Sequence, residues 1–509
     1  MASIMQFRRI TRQNTSDVPF DTEIRSETGE PDQEFLTVTA KPTEVELNPR
    51  SWPLYKRVLC TVLVTSVGFI VSWAGSITSA IAKNASHDFG VSETVESLAA
   101  GLYFVGFGLG SLVAGPVSET LGRNAIYVVA MSLFMVFIAA SGAAPNIEAQ
   151  LIFRFLAGFF GNTPLTCAGG SLADLWSPEE RVIVVPLYAV GIFDGSTLAP
   201  LVGGWIAFGA DQGALSWRWV EWTTLLISAI ILLLILLFLP ETYAPVLLQW
   251  KAHKIRAQTG EKRYRAPIEM TQVPLAKRLQ RAMYRPFEFL FKEPIIIAVA
   301  LYLILVYVVL FTFLNGFPAI FGNTYGWNPG MVGTAFMSIL IGQHLPLAIM
   351  PLTSRWAESY RVKRKAQGHS VIDPPENRLW MAMVGAIALP ISLFWLGWTA
   401  KPNISPWSSL GAGVLFGFAC VAIYIGFYMY VVDAYATYAA SGLASTTVLR
   451  YVIAGAMVAP SIPMYAQLGN NWTLTLFGML AVLMGTVPFV FFHFGSRLRH
   501  KSPFAVRLQ

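Results

Sequence analysis

Charge is scarce in this chain: only 13% of its 509 residues are Asp, Glu, Lys or Arg, while 54% are apolar and the mean hydropathy is +0.54. A soluble domain of ordinary composition carries about 25% charge, so one water-facing globule around one core is excluded. Cysteine is scarcer still. Cys60, Cys167 and Cys420 each sit within an apolar stretch, which leaves neither a disulfide framework nor a metal-ligand spacing and assigns them to packing. No G-x-x-x-x-G-K-[ST] phosphate loop occurs, so ATP does not couple directly to this chain. His, Asp and Ser appear singly inside the apolar stretches, so a multi-span enzyme has no catalytic constellation to use. No metal and no organic cofactor is expected.

Long apolar runs are what the sequence has instead. Twelve windows are long enough to cross a bilayer as helices, at about 58–82, 97–116, 124–143, 149–173, 182–207, 219–239, 294–318, 330–352, 379–399, 407–432, 442–468 and 472–495. The expected fold is therefore an all-α membrane protein of twelve transmembrane helices in two six-helix bundles, residues 58–239 and 294–495. A polar tail, 1–57, is too poor in apolar residues to form a core and is expected to be disordered. Residues 240–293 form a central loop with short amphipathic helices, and 496–509 a second tail. Nothing near the start resembles a cleavable signal, since the first apolar run begins near Val58 and is too long for one.

The bases set the orientation. Arg123, Arg181, Arg355, Lys363 and the cluster from Lys251 to Arg285 fall in connections of one side, against little beyond Lys83, Arg218 and Lys401 on the other. The positive-inside rule then puts both tails and the central loop in the cytoplasm. Two sequons, at Asn84 and Asn403, fall outside as glycosylation candidates. The net charge of +7 belongs to these membrane-flanking bases and comes with no nucleic-acid-binding module. The expected partners are the lipid bilayer, protons and a small molecule, acting on a monomer.

Six spans, a basic loop and six more spans suit a secondary transporter, in which two halves rock about a midplane site. The motifs agree. Gly115-Pro116-Val117-Ser118-Glu119-Thr120-Leu121-Gly122-Arg123 is a polar turn between two apolar windows, and its two charges suit a breakable latch. It resembles the loop signature of the major facilitator superfamily in the form common in fungal drug/proton antiporters. Leu151-Ile152-Phe153-Arg154 with Gly158 and Gly161 resembles that family's fourth-helix motif. Gly191, Gly195, Ala199-Pro200 and Gly203-Gly204 resemble its antiporter motif, with Ser196 and Ala199 standing where Pro and Gly are usual. Trp217-Arg218-Trp219, Pro240-Glu241-Thr242-Tyr243 and Pro375-Glu376-Asn377-Arg378 also resemble the fungal twelve-span branch, and the likeness runs over about residues 48–505.

The resemblance implies gating by Gly115, Glu119, Gly122, Arg123, Gly195, Pro200, Gly203 and Gly204, with Asp174 as the acidic partner of the latch. It associates Arg154 with proton coupling. Asp194 is the carboxylate placed well within a span by the windows, so Asp194 with Arg154 as counter-charge is the expected proton site, and His344 a further relay candidate. A static Arg–Asp pair and a packing histidine are the structural alternatives. Asn162, Thr166, Asn315, Gln343, Tyr424, Tyr428 and Arg450 are the expected substrate-cavity residues, polar and aromatic as a bulky, partly apolar ligand requires. Arg450 either holds an anionic substrate or braces helices. The third, sixth, ninth and twelfth helices are expected to be nearly free of intramembrane charge, as outer positions require. The function implied is proton-coupled export of drugs, fungicides or secondary metabolites across a fungal plasma membrane. A polyamine exporter is the alternative in transport, and a non-transporting nutrient sensor the alternative in another class.

Overall fold

The computed structural model describes residues 1–12, 20–24, 34–39, 44–270, 275–366 and 374–505. Every one of the twelve sequence windows falls on a long helix. In the first half these are α1 (Leu54–Ile77), α2 (Leu98–Leu121), α3 (Arg123–Gly142), α4 (Ile147–Leu175), α5 (Pro178–Asp211) and α6 (Trp219–Phe238). In the second half they are α7 (Pro294–Phe317), α8 (Met337–Ala366), α9 (Trp380–Thr399), α10 (Pro406–Tyr435), α11 (Ala439–Ala456), α12 (Val458–Met484) and α13 (Thr486–Lys501). The eleventh and twelfth windows share the last three, because α12 is broken at Gly469, whose φ of 74° no ordinary L-residue adopts cheaply.

Ten helical stretches among the described residues are long and apolar enough to cross a membrane. The protein is a multi-pass membrane protein. Neither α4 nor α11 is among the ten, and both are the helices that carry a buried arginine amid Asn, Ser and Thr. Their polarity is a cost to insertion that lipid-facing helices could not bear, so both must face other helices.

Helix boundaries follow local chemistry. α5 starts at a capping box: Glu180 N–H donates to Ser177 Oγ at 3.3 Å and Ser177 N–H to Glu180 Oε2 at 2.9 Å. α2 and α3 are separated by one residue, Gly122, at φ 90°, so the chain reverses without an intervening loop. Within each half, small residues let backbones meet. A Cβ on Gly158 of α4 would lie 2.0 Å from Tyr103 O of α2, and one on Gly342 of α8 would lie 2.0 Å from Val414 O of α10. Between the halves, a Cβ on Gly101 (α2) would meet Gly455 O (α11) at 2.7 Å, and one on Gly204 (α5) would meet Pro329 O at 2.5 Å. These two seams, α2 against α11 and α5 against the short helix Pro329–Ala335, close the halves together at the end opposite the basic connections.

The basic end carries structure where the sequence leads one to expect a disordered tail. A helix, Ala2–Arg12, lies on the central-loop helix Ala244–Thr259, with Phe7 and Trp250 edge to face at 5.4 Å and Lys254 Nζ donating to Ile10 O at 3.3 Å. Strand β1 (Phe20–Ile24) pairs antiparallel with β2 (Glu34–Val38), and β2 pairs parallel with β3 (Tyr264–Arg265). The tail is corrected at these residues because the central loop offers the apolar partner that the tail lacks by itself: Val38 packs with Ala252, Ile255 and Ala266.

Candidate functional site

The polar side chains gather in four clusters, two within the first half and two where the halves meet. The first is sealed inside the first half. Arg154 is fully buried, its Nε 3.3 Å from Glu221 Oε1 and its Nη1 donating to Ala74 O at 3.0 Å, with the Tyr103 ring 5.6 Å from the guanidinium. Ser141 Oγ donates to the same Glu221 oxygen at 3.0 Å, and Gln150 donates to buried Glu96 at 3.0 Å. This corrects two expectations. The counter-charge of Arg154 is Glu221 and not Asp194, and α6 carries an intramembrane charge. Glu221 lies two residues into the sixth window, and the reading of that helix as a nearly charge-free outer one hid it.

The second cluster bridges the halves. Asp194 of α5 and His344 of α8 approach at 3.5 Å, Oδ2 to Nε2, while His344 Nδ1 lies 2.9 Å from Leu340 O. A carbonyl oxygen is only an acceptor, so Nδ1 carries hydrogen. Nε2 and the Asp194 carboxylate thus face each other across the two halves. Beside it, Thr197 Oγ1 and Gln343 Oε1 meet at 3.1 Å across the same two helices. His344 is half exposed on the face it shares with Ile341 and Leu345, so the pair opens to the side of the α5–α8 seam and not into a central chamber.

The third cluster is aromatic. Arg450 of α11 is buried, with its guanidinium carbon 4.8 Å from the Tyr307 ring centroid, 5.1 Å from Tyr424 and 5.1 Å from Tyr451. Tyr428 extends the group, 5.8 Å from Tyr424. The first half covers it: Phe193 lies 5.4 Å from Tyr424, Phe107 4.6 Å from Tyr451, and Phe104 stacks on Phe311 at 3.7 Å.

The fourth cluster is the latch at the basic end. Arg123 Nε meets Asp174 Oδ2 at 3.2 Å, as the motif implies, and its other arm reaches Ser118 Oγ. The packing around Gly115 and the side chain of Glu119 lie outside what the structure describes. Glu241, quoted in a motif and given no role by the sequence, caps this turn. It accepts the backbone N–H of Arg123 at 2.9 Å, Asn124 at 3.1 Å and Tyr243 at 2.9 Å, and a Cβ on Gly122 would lie 2.6 Å from its Oε2. Burial pushes the Glu241 carboxyl above its ordinary range, and those backbone donors pull it back.

The remaining expected residues divide. Gly195 and Gly203 pack on α1, each facing its backbone: Cβ atoms there would stand 2.1 Å from Phe69 O and 2.8 Å from Ile77 O. Pro200 and Gly204 form the α5 side of the seam. Asn162 is fully buried and donates to Phe107 O, and Thr166 Oγ1 lies 3.5 Å from Asn162 Oδ1, so this pair braces α4 on α2. Asn315 donates to Val458 O and Ser461 Oγ, both at 2.9 Å, and borders a cavity of about 790 Å³ at the end opposite the latch, with Asp211, Asn323, Tyr465 and Asn470. Asn84 sits in the helix Ala82–Phe89 and donates to Asp211 at 2.8 Å, which makes it a poor sequon; Asn403 stands exposed in a turn.

The Major Facilitator Superfamily model matches residues 64–459. The chain belongs to that superfamily. It is 47% identical over 462 residues to the MFS-type transporter kojT of Aspergillus flavus, covering 90% of this chain and 80% of that one. It is 33% identical over 473 residues to the citrinin biosynthesis cluster MFS transporter mrr1 of Monascus ruber, covering 92% of each. Among solved structures, the xylose transporter XylE from E. coli in a partially occluded inward-open conformation aligns with a TM-score of 0.61 at 15% identity, over 86% of this chain and 98% of that one, which shows the fold alone. The protein is a transporter of this superfamily.

Proposed function

We propose that this transporter exports a small organic secondary metabolite in exchange for protons across a fungal plasma membrane, with the basic end in the cytoplasm. The observation that carries the reading is the Asp194–His344 pair, because an acid and an imidazole able to share a proton lie 3.5 Å apart between the two halves that must separate. Adding or removing that proton changes the charge of the α5–α8 seam, and so biases the rocking equilibrium. The relatives named for kojT and for citrinin biosynthesis support a metabolite as cargo. A polyamine cargo is disfavoured, since a polycation calls for several carboxylates and the junction of the halves offers Asp194 together with the guanidinium of Arg450.

The test is accumulation of a chemically diverse compound panel in yeast stripped of its own drug pumps, with and without a proton uncoupler. Lower accumulation of some compounds on expression, reversed by the uncoupler, is the expected result. Unchanged accumulation of every compound, or lowering that survives the uncoupler, overturns it.

A further inference from the structure

A guanidinium keeps its charge at any physiological pH, and one held in a bilayer without a counter-charge costs at least ~2.5 kcal/mol. Arg450 is in that position. It is 5% exposed, its Nε has no hydrogen-bond partner, and the titratable groups that face it are the three tyrosines Tyr307, Tyr424 and Tyr451, from α7, α10 and α11. Among the described residues no carboxylate pairs with it. Ring faces stabilise a cation by about 0.5–2 kcal/mol, against several for a desolvated carboxylate, so the tyrosines hold the charge without neutralising it.

The place of this residue matters as much as its lack of a partner. Phe104, Phe107 and Phe193 of the first half lie against the cage formed by the second, so separating the halves uncovers the guanidinium. A ligand entering there meets a fixed fork of donors walled by aromatic rings. We propose, resting on the exporter reading above, that Arg450 selects the cargo: an acidic, planar or aromatic small molecule that binds as its carboxylate or enolate, its anionic oxygens on Arg450 and its ring among Tyr307, Tyr424 and Tyr451. The cage rings are the placeholder that the anion displaces, and they close again when it leaves.

Binding to the purified full-length protein separates this inference from export itself, because it needs neither a gradient nor a direction. The probes are matched pairs of aromatic carboxylic acids and their primary amides, equal in shape and different in charge, and the readout is the ligand-induced shift in melting temperature, titrated to an apparent Kd. The wild type is expected to bind the best acid at least about tenfold more tightly than its amide. Arg450→Lys should keep a reduced preference and Arg450→Gln should abolish it, so that each acid and its amide bind alike. Equal response to acids and amides by the wild type, including no response to either, overturns the inference, and so does an acid preference that survives Arg450→Gln. Should that variant not fold, Tyr424→Phe and Arg450→Lys decide: an unchanged acid-to-amide ratio in Arg450→Lys, whose point charge cannot reproduce the fork, counts against the site. An acid preference in protein that exports nothing from cells would sink the exporter reading and leave this one standing.

Discussion

The two halves each bury an arginine in a helix too polar to be read as a plain membrane span, yet they treat it oppositely. Arg154 has Glu221 at 3.3 Å, a backbone carbonyl and a sealed pocket inside one half; Arg450 has three aromatic faces and lies where the halves meet. The difference teaches that the residue type does not decide the role. A buried cation with a permanent carboxylate is part of the scaffold, because its neutral state as a pair is what the helices pack around. A buried cation whose partners are tyrosine rings and hydroxyls, with no carboxylate among the described residues, is a charge kept available.

The largest effect should come from breaking the first arrangement. Arg154→Met leaves Glu221 charged and fully buried with only a serine hydroxyl, a change worth about 3–5 kcal/mol of stability. Surface abundance and melting temperature should both fall sharply, and the double change Arg154→Met with Glu221→Leu should recover most of the loss, since it removes both charges. Arg450→Met abandons no carboxylate and should cost less than about 1 kcal/mol, or stabilise. Equal melting losses for the two single variants would erase the distinction between them.

How much of this could be read in the sequence follows from the range over which each signal acts. The long apolar helices, the Arg123–Asp174 pair and the close-packed glycines are legible because periodicity and short motifs encode them locally. Asp194, His344 and Arg450 are legible as anomalies, single polar residues in apolar windows. Their partners are not. Glu221 lies 67 positions from Arg154 along the chain, and only helix packing brings α6 to α4. The order at residues 2–12 and 34–38 was invisible for the same reason: the apolar surface that holds it belongs to the central loop. Glu241 carried a motif signal with no local hint of what it would cap.

A middle-sized effect is expected at the pair that belongs to neither half alone. Asp194→Asn keeps the size and hydrogen-bonding reach toward His344 Nε2 but removes the titrating carboxylate. Uphill export should drop about tenfold or more, with surface abundance near wild type because the pair is partly exposed. Downhill exchange, assayed in vesicles at several pH values, should continue and lose its pH dependence. Proton-driven export at the wild-type rate would move the coupling elsewhere, and the sealed Glu96–Gln150 and Arg154–Glu221 group would be the next place to look.

The smallest effect tests whether the contrast between the halves reaches the basic end. There each half has an Arg–Asp pair: Arg123–Asp174 at 3.2 Å, with the two side chains 9% and 20% exposed, and Arg378–Asp433 at 2.7 Å, with 31% and 33% exposed. The shorter pair is the wetter one. Solvent-exposed pairs contribute about 0–1 kcal/mol whatever their length, whereas a desolvated partner loses more when abandoned. Asp433→Asn should therefore shift the melting temperature little, while Asp174→Asn should shift it more and slow turnover, because Arg123 also ends the turn that Gly122 and Glu241 hold. Both variants can be compared in one assay of melting and transport rate. A larger loss at Asp433 would show that distance, and not desolvation, ranks these pairs, and the sealed character assigned to the first half would then stop at Arg154.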